Sequence, residues 1–204
     1  MQKVKRPADL GKLIIVGGPG GSGSSTIAKM LAHHFGLHYV YGGGLMRQYA
    51  EQNGFESLEA FMKSKLFQQH SQKFDKLIDE KLIRFAYQAN VLIDSKDFAA
   101  LATFRNIPTT AKIWVDAPVV VRARRTLHKT GKITLDKKLP RSSRVLQNQI
   151  RKLSKRYQAD KKRFKNLYGI DYAHPEKYND IVINSKGLNE GQTFNLIMAK
   201  LSNG

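Results

Sequence analysis

One stretch constrains this chain more than any other: Leu13–Ile27, LIIVGGPGGSGSSTI. An unbroken aliphatic run, Leu13–Val16, meets five glycines within Gly17–Gly23 and then three hydroxyl residues, Ser24–Thr26. A short apolar run bounded by turn signals reads as a strand buried on both faces, as in a parallel sheet. Glycine frees the backbone for positive φ and close approach, so N–H groups after such a strand can converge on one point. The helix predicted to begin near Ser25 adds its positive end there. From Gly18 the spacing matches G-x-x-x-x-G-K-[ST], a phosphate-binding loop, with Gly23 as the second glycine and Ser25 as the hydroxyl residue. Ser24 stands where lysine is expected, so a cation for the phosphates has to come from elsewhere. The bland alternative is a flexible Gly/Ser linker, but linkers seldom sit between an aliphatic strand and an amphipathic helix.

Charge is the second constraint. The 204 residues carry 35 lysines and arginines against 16 acids, a net charge of +19. Seventeen of those cations fall within Arg122–Lys165, against two acids, Asp136 and Asp160. An excess so localised points to a polyanionic partner, either a nucleotide phosphate chain or a nucleic acid. Few aromatics interleave with the run (Tyr157, Phe164), which argues against a stacking platform for single strands. The absence of cysteine removes disulfides, thiolate metal sites and a cysteine nucleophile. No apolar run approaches the roughly 18 residues of a membrane span, and Met1–Arg6 is basic without an apolar segment behind it. A cytoplasmic, monomeric protein of one domain is expected, with a mobile insertion at most.

Downstream, strand and helix signals alternate. Residues Thr26–Phe35 place Ile27, Met30, Leu31 and His34 at helical spacing, with Gly36 as a stop. Leu37–Tyr41 reads as a second strand, Leu45–Gln52 as a helix, Ser57 as the cap of another, and Phe74–Ala89 as a long amphipathic helix. Val91–Ile93, Ala111–Val115 and Asp180–Asn184 read as further strands, and Glu190–Leu201 as a closing helix. The alternation predicts a parallel α/β sheet with its ligand at the strands' C-terminal ends. Asp94 stands at such an end. It is either a Walker-B-type carboxylate supporting Mg²⁺ or a cap for the helix that follows. Gln2–Leu10, polar and basic, reads as a loose arm.

Within the basic segment, Pro140, Ser142 and Ser143 predict the start of a helix running to about Leu167, and Gly169 predicts its stop. On it Arg156, Asp160 and Arg163 follow at i, i+4 and i+7, which puts them on one face. Two guanidiniums from a mobile helix could close over a phosphate chain with two-pronged bonding that lysine lacks. A solvated basic helix fits the same pattern.

Taken together, these residues resemble the nucleoside monophosphate kinases, most closely the archaeal-type cytidylate kinases. Gly21–Thr26 (GSGSST) is similar to that family's G-S-G-T-T-T loop, in which a hydroxyl residue replaces lysine. LMRQYAEQNG at Leu45–Gly54, VLIDS at Val91–Ser95, AKIWVDAPVVVRARR at Ala111–Arg125, KRYQADKKRFKNLYGIDY at Lys155–Tyr172 and YNDIVINS at Tyr178–Ser185 carry the rest. The resemblance implies a P-loop NTPase fold, a three-layer α/β/α sandwich with a five-stranded parallel sheet and a helical lid. It implies a flexible arm over 1–10 and a kinase-like domain over 11–204, with acceptor-binding helices near 43–89 and a lid near 122–165. ATP with Mg²⁺ is the implied donor, and a nucleoside monophosphate, CMP or dCMP first, the implied acceptor.

By the same resemblance, Gly18, Gly20, Gly21, Ser22, Gly23, Ser24, Ser25 and Thr26 hold the donor phosphates, while Ser25 and Asp94 serve the metal. Arg47, with Asp94 and Lys96, serves the acceptor. Arg122 and Arg125 open the lid on the donor side. Arg156, Lys161 and Arg163 are the cations facing the transferring group, and Asn184–Gly187 borders the donor's base. Two positions depart from the pattern: Gly44 replaces an acid before the helix of Arg47, and Ser95-Lys96 replaces a Gly-Arg pair. Lys96 keeps the charge without bidentate geometry. The alternatives are a kinase for another phosphate-bearing acceptor, or a P-loop-derived protein that binds nucleic acid through the basic segment.

Overall fold

The computed structural model describes residues 6–133 and 139–202. Expectations for Gln2–Lys5 and for Asp136, Lys137 and Lys138 lie outside the described residues. In chain order the elements are β1 (Leu13–Gly17), α1 (Ser24–His34), β2 (His38–Tyr41), α2 (Gly42–Gln52), α3 (Leu58–Lys63), α4 (Lys65–Ala86), β3 (Val91–Asp94) and α5 (Phe98–Phe104). There follow β4 (Ala111–Asp116), α6 (Val119–Lys129), α7 (Arg144–Tyr168), β5 (Ile181–Asn184) and α8 (Glu190–Ser202).

The described strands form one all-parallel sheet in the order β2-β3-β1-β4-β5. Strand β1 is central, and both its faces are covered, which is why its sequence is uninterrupted apolar rather than alternating. Leu13, Ile14, Ile15 and Val16 are at most 1% exposed, each stabilising the fold by about 1.5–3 kcal/mol relative to solvent. Alternate side chains feed two cores. Ile14 and Val16 pack with Ile27 and Leu31 of α1 and Ile197 of α8. Leu13 and Ile15 pack with Ile78 and Leu82 of α4 and Phe98 and Leu101 of α5. The result is the expected three-layer sandwich.

Helices α2, α3 and α4 share an aromatic core of their own, in which the Phe61 ring lies 5.1 Å from those of Phe55, Phe67 and Phe74. Helices α6 and α7 join through Ala123, Leu127, Leu146 and Leu153. The end of α7 is held separately by Phe164 and Tyr172 against Trp114 of β4.

Several expectations are corrected. The arm is not loose over its described part: Ala8–Leu10 forms a 3-10 turn, and the Arg6 guanidinium donates to the carbonyls of Leu10, Gly11, Ala86, Gln88 and Pro108. Helix α2 begins at Gly42, not Leu45, because the turn packs directly on β2 where three glycines of low helix propensity hid it from the pattern. Helix α4 begins at Lys65 and is kinked at His70 (φ −127°, ψ 19°), so its first half broke the period read from Phe74 onward. Ser57 does cap α3, its Oγ accepting from Ala60 N at 3.1 Å. Ser143 precedes α7, but its side chain caps nothing. Helix α5 was hidden in a short run of small apolar residues, too brief for a periodicity to register.

Candidate active site

The phosphate-binding loop lies between β1 and α1 at the C-terminal edge of the sheet. Gly21 (φ +84°) and Gly23 (φ +97°) take left-handed conformations, and a Cβ on Gly21 would lie 2.6 Å from the Arg122 carbonyl oxygen. Gly23 is also the N-cap of α1. The Ser22 hydroxyl turns inward to accept from Ser24 N at 3.3 Å. Among the described residues the amides of Gly20, Gly21, Gly23 and Ser25 have no acceptor, and all four residues line a cleft of about 1480 Å³. Unbonded amides at a helix N-terminus make a site for an anion.

What aims those amides is α6. Arg122 donates from Nη1 to Gly20 O at 3.2 Å and from Nε to Ala117 O at 2.9 Å. Arg125 donates from Nη1 to Ser22 O at 2.7 Å and Ser185 Oγ at 2.9 Å, and from Nη2 to Ser185 O at 2.9 Å and Leu188 O at 3.2 Å. Carbonyls held on the α6 side leave the alternating amides to face the cleft. The two arginines expected to touch the donor are therefore largely engaged with protein oxygens. Arg122 is buried and off the cleft wall, whereas Arg125 borders it and also ties the loop after β5 to the phosphate loop.

Asp94 ends β3, and its register brings it opposite Val16 of β1. It is not a helix cap: α5 begins after Asp97. Its carboxylate accepts from Tyr39 Oη at 2.7 Å and from the Ser25 hydroxyl, bonds that oppose the rise in pKa imposed by burial. A buried carboxylate and a hydroxyl beside phosphate-binding amides are a hard, oxygen-only donor set of the kind that suits Mg²⁺.

Across the cleft, four cations take up different stations. Lys96 donates to Asp160 at 2.5 Å, and burial lowers its pKa. Arg163 pairs with Asp75 at 3.4 Å and Asp160 at 3.6 Å. Asp160 thus joins Lys96 to Arg163 rather than spacing two arginines apart. Arg156 is exposed, lines the cleft and has no ion-pair partner among the described residues. Arg47 of α2 lies over the Tyr41 ring at 5.3 Å. Lys161 is the exception: it is exposed and not on the cleft wall, since one residue beyond Asp160 turns it about 100° away.

The sequence reading passed over the acids at the far end. Asp75 and Asp79 of α4 are buried, and Asp97 lines the cleft beside them. Burial pushes Asp75 up to about 6 despite Arg163, and it raises Asp79, which accepts from the Tyr168 hydroxyl. The Oδ2 of Asp75 has no hydrogen-bond partner among the described residues. A signal was available: Asp75 and Asp79 fall at i and i+4 inside the apolar stripe of Phe74, Ile78 and Leu82, where a helix normally carries no charge.

The cleft thus has unbonded amides on one wall and the cations Lys96, Arg156 and Arg163 on the other, an arrangement able to hold a phosphate chain. A family model described as an AAA domain matches residues 16–139. The cytidylate kinase of Pyrococcus horikoshii is 35% identical over 181 residues, 88% of this chain and 84% of that protein. This chain belongs to the cytidylate kinase family. The cytidylate kinase of Pyrococcus furiosus is 33% identical over 179 residues, 88% of this chain and 83% of that one. In fold, the family member also resembles the shikimate kinase of Bacteroides thetaiotaomicron, with a TM-score of 0.57 at 15% identity over 94% of this chain and 98% of that one. Among the described residues no helix is long and apolar enough to cross a membrane.

Proposed function

We propose that this nucleoside monophosphate kinase transfers the γ-phosphoryl group of ATP to CMP or dCMP. One observation carries the reading: four unbonded loop amides and the cations Lys96, Arg156 and Arg163 line a single cleft. The naming of its relatives as cytidylate kinases supports the choice of acceptor.

The phosphate loop holds the donor's β-phosphate through the amides that Arg122 and Arg125 have aimed. Ser25 and Asp94 would hold Mg²⁺, which would supply positive charge against the donor phosphates. The acceptor binds between α2 and the loop after β3, with Arg47 and Lys96 toward its phosphate. One oxygen of that phosphate attacks the γ-phosphorus, and the bond from phosphorus to the β–γ bridging oxygen breaks, leaving ADP and CDP. The attacking phosphate has a second pKa near 6, so it arrives largely deprotonated and needs no general base. Arg156 and Arg163 of α7 stabilise the charge spread over the transferring group, a task that positioned cations perform better than water because they need not reorganise. Closing α7 over the cleft excludes water, which would otherwise accept the phosphoryl group.

The test is direct. With ATP and Mg²⁺, the protein is given CMP, dCMP, UMP, AMP or GMP in turn and diphosphate formation is followed. CDP or dCDP is expected to form fastest. A faster reaction with another monophosphate, or none with any, overturns the assignment of acceptor.

A further inference from the structure

Helix α7 has two faces of opposite character. At 100° per residue, Leu146, Leu153, Asp160 and Phe164 fall within about 20° of one line, and all four are buried against the fold. Arg144, Arg151, Lys155 and Lys162 fall within about 20° of the line diametrically opposite, and all four are exposed. The stripe is about 27 Å long, eighteen residues at 1.5 Å each. None of the four lines the cleft, so phosphoryl transfer does not use them. None makes an ion pair with a described residue; Arg151 has one long bond to Asn148 Oδ1 at 3.4 Å. The acid of α7, Asp160, is on the buried side.

Solvated helix faces usually mix signs through i, i+4 pairs. This one instead sets like charges in a row, Arg151 and Lys155 at i and i+4, an arrangement that destabilises an isolated helix. The repulsion is relieved when a polyanion lies along the row. We propose that the outer face of α7 docks the phosphodiester backbone of a double-stranded nucleic acid. A duplex offers a straight, rigid array of about one phosphate per 1.7 Å of axis, long enough to meet all four cations at once. The stripe has no aromatic residue on which a single strand could stack. It also has no apolar side chain to enter a bilayer, its neighbours being Asn148 and Gln158. Backbone contacts of this kind carry no sequence information. The inference is independent of which monophosphate the cleft accepts.

Four phosphate contacts give a slope of log affinity against log salt of about −3.6, or roughly a 100-fold loss between 50 and 200 mM. The experiment measures fluorescence anisotropy of a labelled duplex of about 20 base pairs, RNA or DNA, with the full chain over that salt range. A quadruple variant, R144Q/R151Q/K155Q/K162Q, is expected to bind at least tenfold more weakly with a slope near zero, while its turnover with ATP and its best monophosphate acceptor stays at the parental value. The proposal is overturned if the quadruple variant binds the duplex as well as the parent does. It is also overturned if ATP displaces the duplex, which would put it in the cleft, if single strands bind as tightly as duplex, or if only anionic vesicles bind.

Discussion

Of the two arginines that α7 places on the cleft wall, Arg156 has no ion-pair partner among the described residues, whereas Arg163 is held between Asp75 and Asp160. Under the proposed function, removing Arg156 is therefore expected to disturb little of the fold and much of the transition state. Arg156→Ala is expected to lower kcat by about 10²–10³ with the midpoint of thermal unfolding unchanged, read by steady-state kinetics beside a melting curve. An unaltered kcat would return that arginine to the solvated face. Asp75 makes the opposite case. Burial holds its folded pKa up to about 6, above the ordinary carboxylate range. The folded chain keeps this proton where the unfolded chain has lost it, so the stabilisation is present below about pH 4 and lost as pH rises through 6. Asp75→Asn is expected to be more stable than the parent at about pH 8, by ~1–3 kcal/mol, and equal to it at about pH 4. Urea unfolding at the two pH values tests this, and a variant less stable at both would refute it. Of these residues Arg156 and Arg163 were legible from helical spacing. Asp75 was not, because the effect of a carboxylate depends on how much water the fold leaves around it.

At the scale of elements, α6 fixes the loops around the cleft through side-chain bonds to their carbonyls. Arg122 and Arg125 gather the carbonyls of Gly20, Ser22, Ser185 and Leu188, so the phosphate loop and the loop after β5 keep a fixed relation. Arg125→Ala is expected to raise the KM for ATP about tenfold or more while changing the KM for the monophosphate by less than about twofold, with a smaller loss in kcat. Lysine at this position restores charge but not four oxygen contacts, and is expected to rescue only in part. An equal rise in both KM values would mean general loosening instead of loop positioning. The RARR pattern announced cations here. It could not tell whether they face ligand or backbone, since that choice is made by where the sheet carries Ala117 and Ser185.

At the scale of the molecule, the cleft is walled by parts with separate cores: the sheet and α1, the aromatic unit of α2–α4, and the α6–α7 pair. Ligands that bridge such parts stabilise the folded state by mass action. ATP with Mg²⁺ at about 100 times its Kd is expected to add ~2.7 kcal/mol, a rise of roughly 5–10 °C in thermal midpoint for a chain of this size. Adding the monophosphate is expected to raise it further. No rise with ATP at saturating concentration would remove the donor site from this cleft. The sequence by itself determined the phosphate loop, the parallel order of strand and helix and the existence of a basic helix ending at Gly169, because each rests on local backbone preference or on a period of two or 3.6 residues. Tertiary structure alone decided which cations line the cleft, which hold carbonyls and which face solvent, and it alone drew Asp75, Asp160, Lys96 and Arg163 into one ion-pair chain. Most of those outcomes depend on contacts between residues sixty or more positions apart, for which a one-dimensional pattern carries no signal.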